Sequence, residues 1–268
     1  MIEMSQAITF QGVTAGYRRG QEALNNITCE FKPGTSTALM GPNGSGKTTL
    51  LCVLCGLHQP WQGTINPQPG SHTAALVSQQ HRHRVWLPVT VINVLRMSRY
   101  RTRGLIKPLN STDMSTVHDA AQCLKVMDLL GRQFGELSGG QRQRVLVAQA
   151  LAQDADVLLL DEPITGLDLP SQEIILEVIE KERNQGRIVV MSTHHLDEAE
   201  VCDRVLLLAN RLVAQGTPCE VLSKANLRAA FGIRAILGAP EDCALHDTSE
   251  SSQLPAFFDA HRSESSYQ

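Results

Sequence analysis

The nine residues GPNGSGKTT, at 41–49, constrain this chain more than any other stretch. They match the pattern G-x-x-x-x-G-K-[ST] in full. A short apolar run, STALM at 36–40, ends directly before them, and the helix-forming KTTLLCVLCGL follows. A strand, a glycine loop and a helix in that order make a holder for an anion. Gly41, Gly44 and Gly46 let backbone N–H groups turn inward and approach a phosphate closely. The helix beginning near Lys47 aims its positive dipole end at the same point. Gly41, Pro42, Asn43, Gly44, Ser45, Gly46, Lys47, Thr48 and Thr49 are therefore expected to bind a nucleotide. Lys47 is expected to reach its β- and γ-phosphates, and the Thr48 hydroxyl to ligate magnesium.

Magnesium needs a carboxylate partner. DVLLLDEP at 156–163 supplies one at the end of a buried strand. Asp161 is expected to hold the ion's shell, directly or through water. Glu162, the next residue, is placed to polarise a water for attack on the γ-phosphate. These two features imply hydrolysis of ATP or GTP.

A second anion site follows from ELSGGQRQR at 136–144. Ser138 offers an N-cap hydroxyl, and no side chain shields the N–H groups of Gly139 and Gly140. The helix QRQRVLVAQALA adds a positive dipole end. Alone, this would be a well-capped helix. Beside a complete phosphate loop it raises the question of why one chain carries two such sites.

The surrounding pattern sets the fold class. AITF and ALNNITCEF read as strands in a β-rich start, and HTAALVS as another. From about 90 to 135 the chain looks mainly helical, and a helix from about 140 to 152 follows. Then come the strand DVLLL, the helix PSQEIILEVIEKERNQ, the strand RIVVMS, and a hairpin of RVLLLAN and RLVAQG. Strands alternating with helices indicate an α/β core with parallel strands. The Ser- and acid-rich stretch at 240–268 has no periodicity and reads as a weakly ordered tail, with Phe257 and Phe258 able to dock.

Composition excludes several classes. A net charge of −3 gives no basic field for nucleic acid. No apolar run approaches the roughly 18 residues of a membrane span. The opening MIEMSQAITF lacks a basic and an apolar region, so no secretory leader is expected. The seven cysteines show no disulfide framework, which fits a reducing cytoplasm. Cys52 and Cys55 form a CxxC on the helix after the glycine loop; they read as buried small hydrophobes rather than redox or zinc ligands.

The motifs in their order carry a family resemblance. LSGGQ at 137–141, followed by RVLVAQALAQDADVLLLDEP, resembles the signature and Walker B motifs of ATP-binding-cassette (ABC) ATPases. Tyr17 in TAGYRRG resembles the aromatic that stacks on adenine, and Gln79 in ALVSQQ the Q-loop glutamine. GLD at 166–168 resembles the D-loop, with Asp168, and His194 in MSTHHL the switch histidine that contacts the γ-phosphate. His195 stands where many relatives carry Asp, and the STH alignment favours His194 as the acting residue. The match covers roughly residues 5–232.

What the resemblance implies is specific. The fold is a P-loop NTPase of ABC ATPase type, with a β-rich N-terminal subdomain and an inserted helical signature subdomain at about 90–152, in an ATPase domain spanning 5–235. ATP and Mg2+ are the ligands, with Thr48, Asp161 and Gln79 around the ion and Glu162, His194 and Gln79 catalytic. Leu137, Ser138, Gly139, Gly140 and Gln141 contact the ATP held by another subunit, across a head-to-tail dimer of two copies or of a copy and a paralogue. That answers the question of the second site. The chain would sit at the cytoplasmic face of the membrane, docked on integral permease subunits near the Q-loop. An extracytoplasmic binding protein would act indirectly, and no nucleic acid would be involved.

The cargo is read from the stretch after the Q-loop. PVTVINVLRMSRY resembles that region in manganese/zinc/iron-type importer ATPases, with Ser98 in place of a glycine. CDRVLLLANRLVAQGTPCEVL and LRAAFG resemble the same subfamily. Import of manganese or zinc is the expectation, and siderophore, haem or cobalamin import the alternative. A non-transport ABC ATPase is disfavoured by the absence of coiled-coil insertions and of a second cassette. His81 and His83 in HRHR read as contacts to the membrane partner rather than metal ligands, because the neighbouring arginines repel a cation.

Overall fold

The structure, a computed structural model, describes residues 6–18, 20–68, 71–78, 88–104 and 107–232. In chain order the elements are β1 (Ile8–Ala15), β2 (Leu24–Phe31), β3 (Thr35–Met40), α1 (Lys47–Leu54), β4 (Gln62–Asn66) and β5 (Ala74–Val77). A helical stretch follows: α2 (Val91–Met97), α3 (Tyr100–Arg103), α4 (Ser111–Cys123) and α5 (Gly139–Leu151), with two 3-10 turns before α5. Then come β6 (Val157–Asp161), α6 (Leu169–Asn184), β7 (Ile188–Thr193), α7 (Leu196–Glu200), β8 (Arg204–Leu208), β9 (Leu212–Gly216), α8 (Pro218–Val221) and α9 (Lys224–Phe231).

The strands form two sheets. One is antiparallel, in the order β2-β1-β4. The other has six strands in the order β5-β6-β7-β3-β8-β9, all parallel except the last hairpin. Every residue of β6 and β7 is buried, as expected for strands covered on both faces. Alternation then splits the core in two. Val157, Leu159, Ile188 and Val190 join α1 and the antiparallel sheet in one cluster, where Phe10 and Phe31 meet edge-on at 5.8 Å. Leu158, Leu160, Val189 and Met191 pack with α2, α4, α5 and α6 in the other.

This topology places the chemistry. Register pairs Asp161 with Ser192 and Met40 with Thr193, so β3, β6 and β7 end side by side. The carboxyl edge of a parallel sheet, where the strand order reverses, is the place for a ligand. The residues after Met40, Leu160 and Ser192 are the loop at 41–46, the acids, and the histidines.

Three sequence expectations change. AITF is only the first part of β1, whose register shifts between Phe10 and Val13. QGTIN, unassigned from sequence, is β4. Cys52 and Cys55 are half-buried rather than buried: Cys52 lies on the side of α1 away from Leu50 and Leu54, and Cys55, its C-cap, packs only at the edge of their cluster. Burial pushes both thiols above the usual range, which keeps them protonated and inert. The tail from 240, with Phe257 and Phe258, lies outside the described residues, as do Gln79, Gln80, His81 and His83.

Candidate active site

The loop between β3 and α1 needs its glycines for different reasons. Gly41 has φ +153°, and a Cβ there would run into the Leu208 carbonyl. Gly46 caps α1 at φ +99°, and a Cβ would meet the Ala23 carbonyl. Side chains are therefore excluded by conformation and by space. Lys47 is buried, and its Nζ donates to Gly41 O at 2.7 Å and Pro42 O at 3.2 Å. Burial lowers its pKa, against the pull of Glu162 and then Asp161. Among the described residues its hydrogen bonds go to these two carbonyls, so a buried ammonium faces the loop with the two acids nearby.

The acids gather opposite. Thr48 Oγ1 donates to Asp161 Oδ2 at 2.9 Å. The other oxygen, Oδ1, accepts from Ser192 Oγ at 2.5 Å, and that hydroxyl also accepts from the Glu162 N–H at 3.0 Å. Ser192 thus fixes both acids at once, from the neighbouring strand. Glu162 leaves the sheet at φ +50°, a conformation a non-glycine residue adopts only when its surroundings enforce it. Its Oε1 lies 3.5 Å from His194 Nδ1, an ion-pair contact longer than a good hydrogen bond. His194 holds the Glu162 carboxyl below the ordinary range, and Glu162 in turn raises the imidazole.

A support lies behind the histidines. Thr193 Oγ1 accepts from the His195 N–H at 2.9 Å and donates to the buried Glu198 carboxylate. Burial pushes Glu198 up to about 7. The His194 and His195 rings sit 4.1 Å apart, and burial followed by the His194 charge lowers the His195 pKa.

Lys47, Thr48 and Glu162 face a cleft of about 580 Å³, lined also by Tyr17, Gln21, Glu22, Ala23, the rest of the loop from Asn43 to Thr49 and Asn210, while Asp161 and His194 stand behind that lining. Tyr17 is 67% exposed there, a large aromatic face offered to solvent, with His58 5.3 Å behind it. Sequence reasoning missed Ser192, Glu198 and Asn210. Ser192 sits within the hydrophobic β7 and Glu198 in the short helix α7, and neither carries a motif of its own.

Ser138 to Gln141 form a complete capping box: Ser138 Oγ accepts from Gln141 N at 3.2 Å, and Gln141 Oε1 from Ser138 N at 3.1 Å. Leu137 is buried below. Gly140 presses on the start of α6, where a Cβ would lie 2.7 Å from Asp168 Oδ1 and 2.8 Å from Ser171 Oγ. Gly139 has open space around it. Among the described residues, none from 136–144 lines the cleft of the first loop.

The family profile described as ABC transporter matches residues 24–165. The chain belongs to the ABC transporter family. It is 36% identical over 233 residues to the manganese transport system ATP-binding protein of Synechocystis sp., covering 84% of this chain and 90% of that one. It is 34% identical to the chelated iron transport system membrane protein of Yersinia pestis, covering 95% and 89%. It is 36% identical to the zinc import ATP-binding protein of a Jannaschia species, covering 84% and 88%. The solved structure of a metal-chelate type ABC transporter, in an inward-facing conformation, superposes with a TM-score of 0.75 at 29% identity, over 85% of this chain and 89% of that one. As a member of this family the chain binds nucleotide and hydrolyses ATP in the service of transport. Among the described residues, no helix of this ABC ATPase is long and apolar enough to cross a membrane.

Proposed function

We propose that this ABC ATPase energises import of a transition metal ion, manganese or zinc, through separate membrane permease subunits. Carrying the reading is the likeness, over 84% of the chain in each case, to ATP-binding proteins named for manganese transport and zinc import. The chain works at the cytoplasmic face of the membrane, with a binding protein on the far side delivering the ion. The cargo is substrate of the permease and need not touch this chain; among the described residues no group of three His, Cys, Asp or Glu could hold a metal. Import of chelated iron is a second reading, favoured by the Yersinia relative and the metal-chelate transporter structure.

The roles of the site residues follow from their chemistry. Thr48 Oγ1 and Asp161 Oδ2 are hard oxygens 2.9 Å apart, a donor set that suits Mg2+. When bound, the ion neutralises charge on the phosphate oxygens. Lys47 and the N–H groups of the loop bind the phosphates, and Tyr17 stacks on the base. Glu162, ionised, accepts a proton from the attacking water, and His194 orients Glu162 and faces the γ-phosphate. Gln79, whose place lies outside the described residues, is assigned to the ion and the water by resemblance alone.

Residues 5–235 are read as one ATPase unit, with the helices at about 90–152 presenting Leu137 to Gln141 to a second copy or a paralogue. That none of the described residues from 136–144 lines the first loop's cleft supports this pairing. Asp168 lies against Gly140 and so belongs to that surface. Uptake of labelled manganese, zinc and chelated iron, compared in cells with and without the chain, tests the cargo. Loss of manganese or zinc uptake without the chain is expected. Loss of chelated iron uptake alone replaces the first reading with the second, and no loss of any removes both.

A further inference from the structure

A loop that binds phosphate with its N–H groups must turn its carbonyls the other way, and those carbonyls need donors. Lys47 serves the carbonyls of Gly41 and Pro42, and one residue outside the loop serves those of Gly44 and Ser45. Asn210, at the tip of the β8–β9 turn, donates its backbone N–H to Ser45 O at 3.0 Å. The two hydrogens of its Nδ2 go to Gly44 O at 3.2 Å and Ala23 O at 3.3 Å. Its own carbonyl accepts from Asn25 N at 2.7 Å. The same turn abuts the other end of the loop, where the Leu208 carbonyl leaves no room for a Cβ at Gly41.

Asn210 is left-handed, at φ +57°. Glycine is the least strained residue in that conformation, and asparagine the next. The backbone bonds to Ser45 and from Asn25 would survive a glycine. What asparagine adds is the pair of side-chain bonds, which ties the phosphate loop to the segment at Ala23 beside it. Ala23 also backs Gly46, the residue that starts α1.

We propose that Asn210 is a positioning residue of the nucleotide site, locking the Gly44–Ser45 carbonyls outward so that the loop is preformed for phosphate. The inference rests on the reading of this cleft as the ATP site. Without the lock the loop spends time in forms that cannot bind, and apparent affinity falls by the fraction lost. Because Asn210 is exposed, water competes for its bonds, and the effect is a few-fold.

The test uses the full chain, with Mg-ATP and inorganic tripolyphosphate titrated by calorimetry into wild type, N210G and N210D. N210G keeps the turn and loses only the side-chain bonds. Its Kd is expected to rise about fivefold for both ligands, with turnover at saturating ATP within about twofold of wild type. N210D keeps the backbone bond to Ser45 but has no side-chain donor and presents a charge to two carbonyls, and is expected to lose more than about tenfold. An N210G that binds both ligands as wild type does overturns the inference. So does loss of ATP affinity with tripolyphosphate unchanged, which would put Asn210 on the nucleoside. A lower nucleotide-free melting temperature with unchanged affinity of the folded protein also overturns it, because Asn210 would then only stabilise the turn. A wild type that binds neither ligand removes the reading of the cleft itself, a result distinct from these three.

Discussion

Replacing Ser192 with alanine should damage stability and activity together. Ser192 is fully buried, and its hydroxyl spans two strands' worth of chemistry. It donates to Asp161 Oδ1 at 2.5 Å and accepts from the Glu162 N–H at 3.0 Å. Alanine removes one hydrogen bond to a charged oxygen, worth about 1.5–3 kcal/mol, and takes the acceptor from a backbone N–H, at about 1 kcal/mol or more. The two effects share one atom and are not additive in full, so about 2–4 kcal/mol is expected. In a chain of this size each kcal/mol moves the melting temperature by about 2–4 °C, giving a fall of roughly 5–15 °C. Both acids lose their fixed direction, and turnover should fall about ten- to a hundredfold, as for other groups that orient metal-binding carboxylates. Thermal and urea unfolding of wild type, S192A, D161N and the double variant give the coupling directly. We expect a coupling of about 1 kcal/mol or more between the two positions. A melting temperature within about 2 °C of wild type, or a coupling near zero, would show that Ser192 does not hold the acids.

Two further outcomes follow from the same geometry. E162Q keeps the shape of the side chain and removes its basicity, so turnover should drop about 10²–10⁴-fold with ATP binding kept; a loss under tenfold in a phosphate-release assay would assign the base elsewhere. Glu198, raised from 4.5 to about 7 in the fold, sets a pH dependence of known sign. Near pH 4.5 and below, wild type and E198Q both hold a neutral group and should unfold alike. Between there and about 7 the unfolded carboxyl ionises while the folded one keeps its proton, so wild type loses ground. At pH 8 E198Q should be the more stable by about 1–3 kcal/mol; equal urea midpoints at both pH values would contradict this.

The sequence announced the site better than the sheet that carries it. The loop at 41–49 and the acids at 161 and 162 were legible because their residue types are dictated by the anion and the ion, whatever the neighbours do. Ser192 was not, because it looks like the end of one more apolar strand; only the parallel register of β6 and β7 sets it beside Asp161. Asn210 was hidden for a similar reason, since its partners at 23, 44 and 45 are far away in sequence. β4 escaped notice because QGTIN buries only Ile65 and has a glycine in place of an alternating apolar residue. β1 looked short because Gly12, at φ +60°, interrupts the alternation where the register shifts. Cys52 and Cys55 were placed with their apolar neighbours, although Cys52 faces away from Leu50 and Leu54 and Cys55 caps the end of α1 at the rim of the core.

The central claim is that the two anion sites of different chains meet around one nucleotide. Sedimentation of E162Q with and without Mg-ATP, beside the double variant S138R/E162Q, tests it most directly. Ser138 sits at the open N-terminus of α5, where an arginine adds bulk and can fold away from the chain's own loop. The account predicts that E162Q is monomeric alone and dimeric with ATP, and that S138R/E162Q binds ATP with unchanged affinity but stays monomeric. An S138R/E162Q that dimerises as well as E162Q, or an E162Q that remains monomeric in saturating ATP, would contradict it.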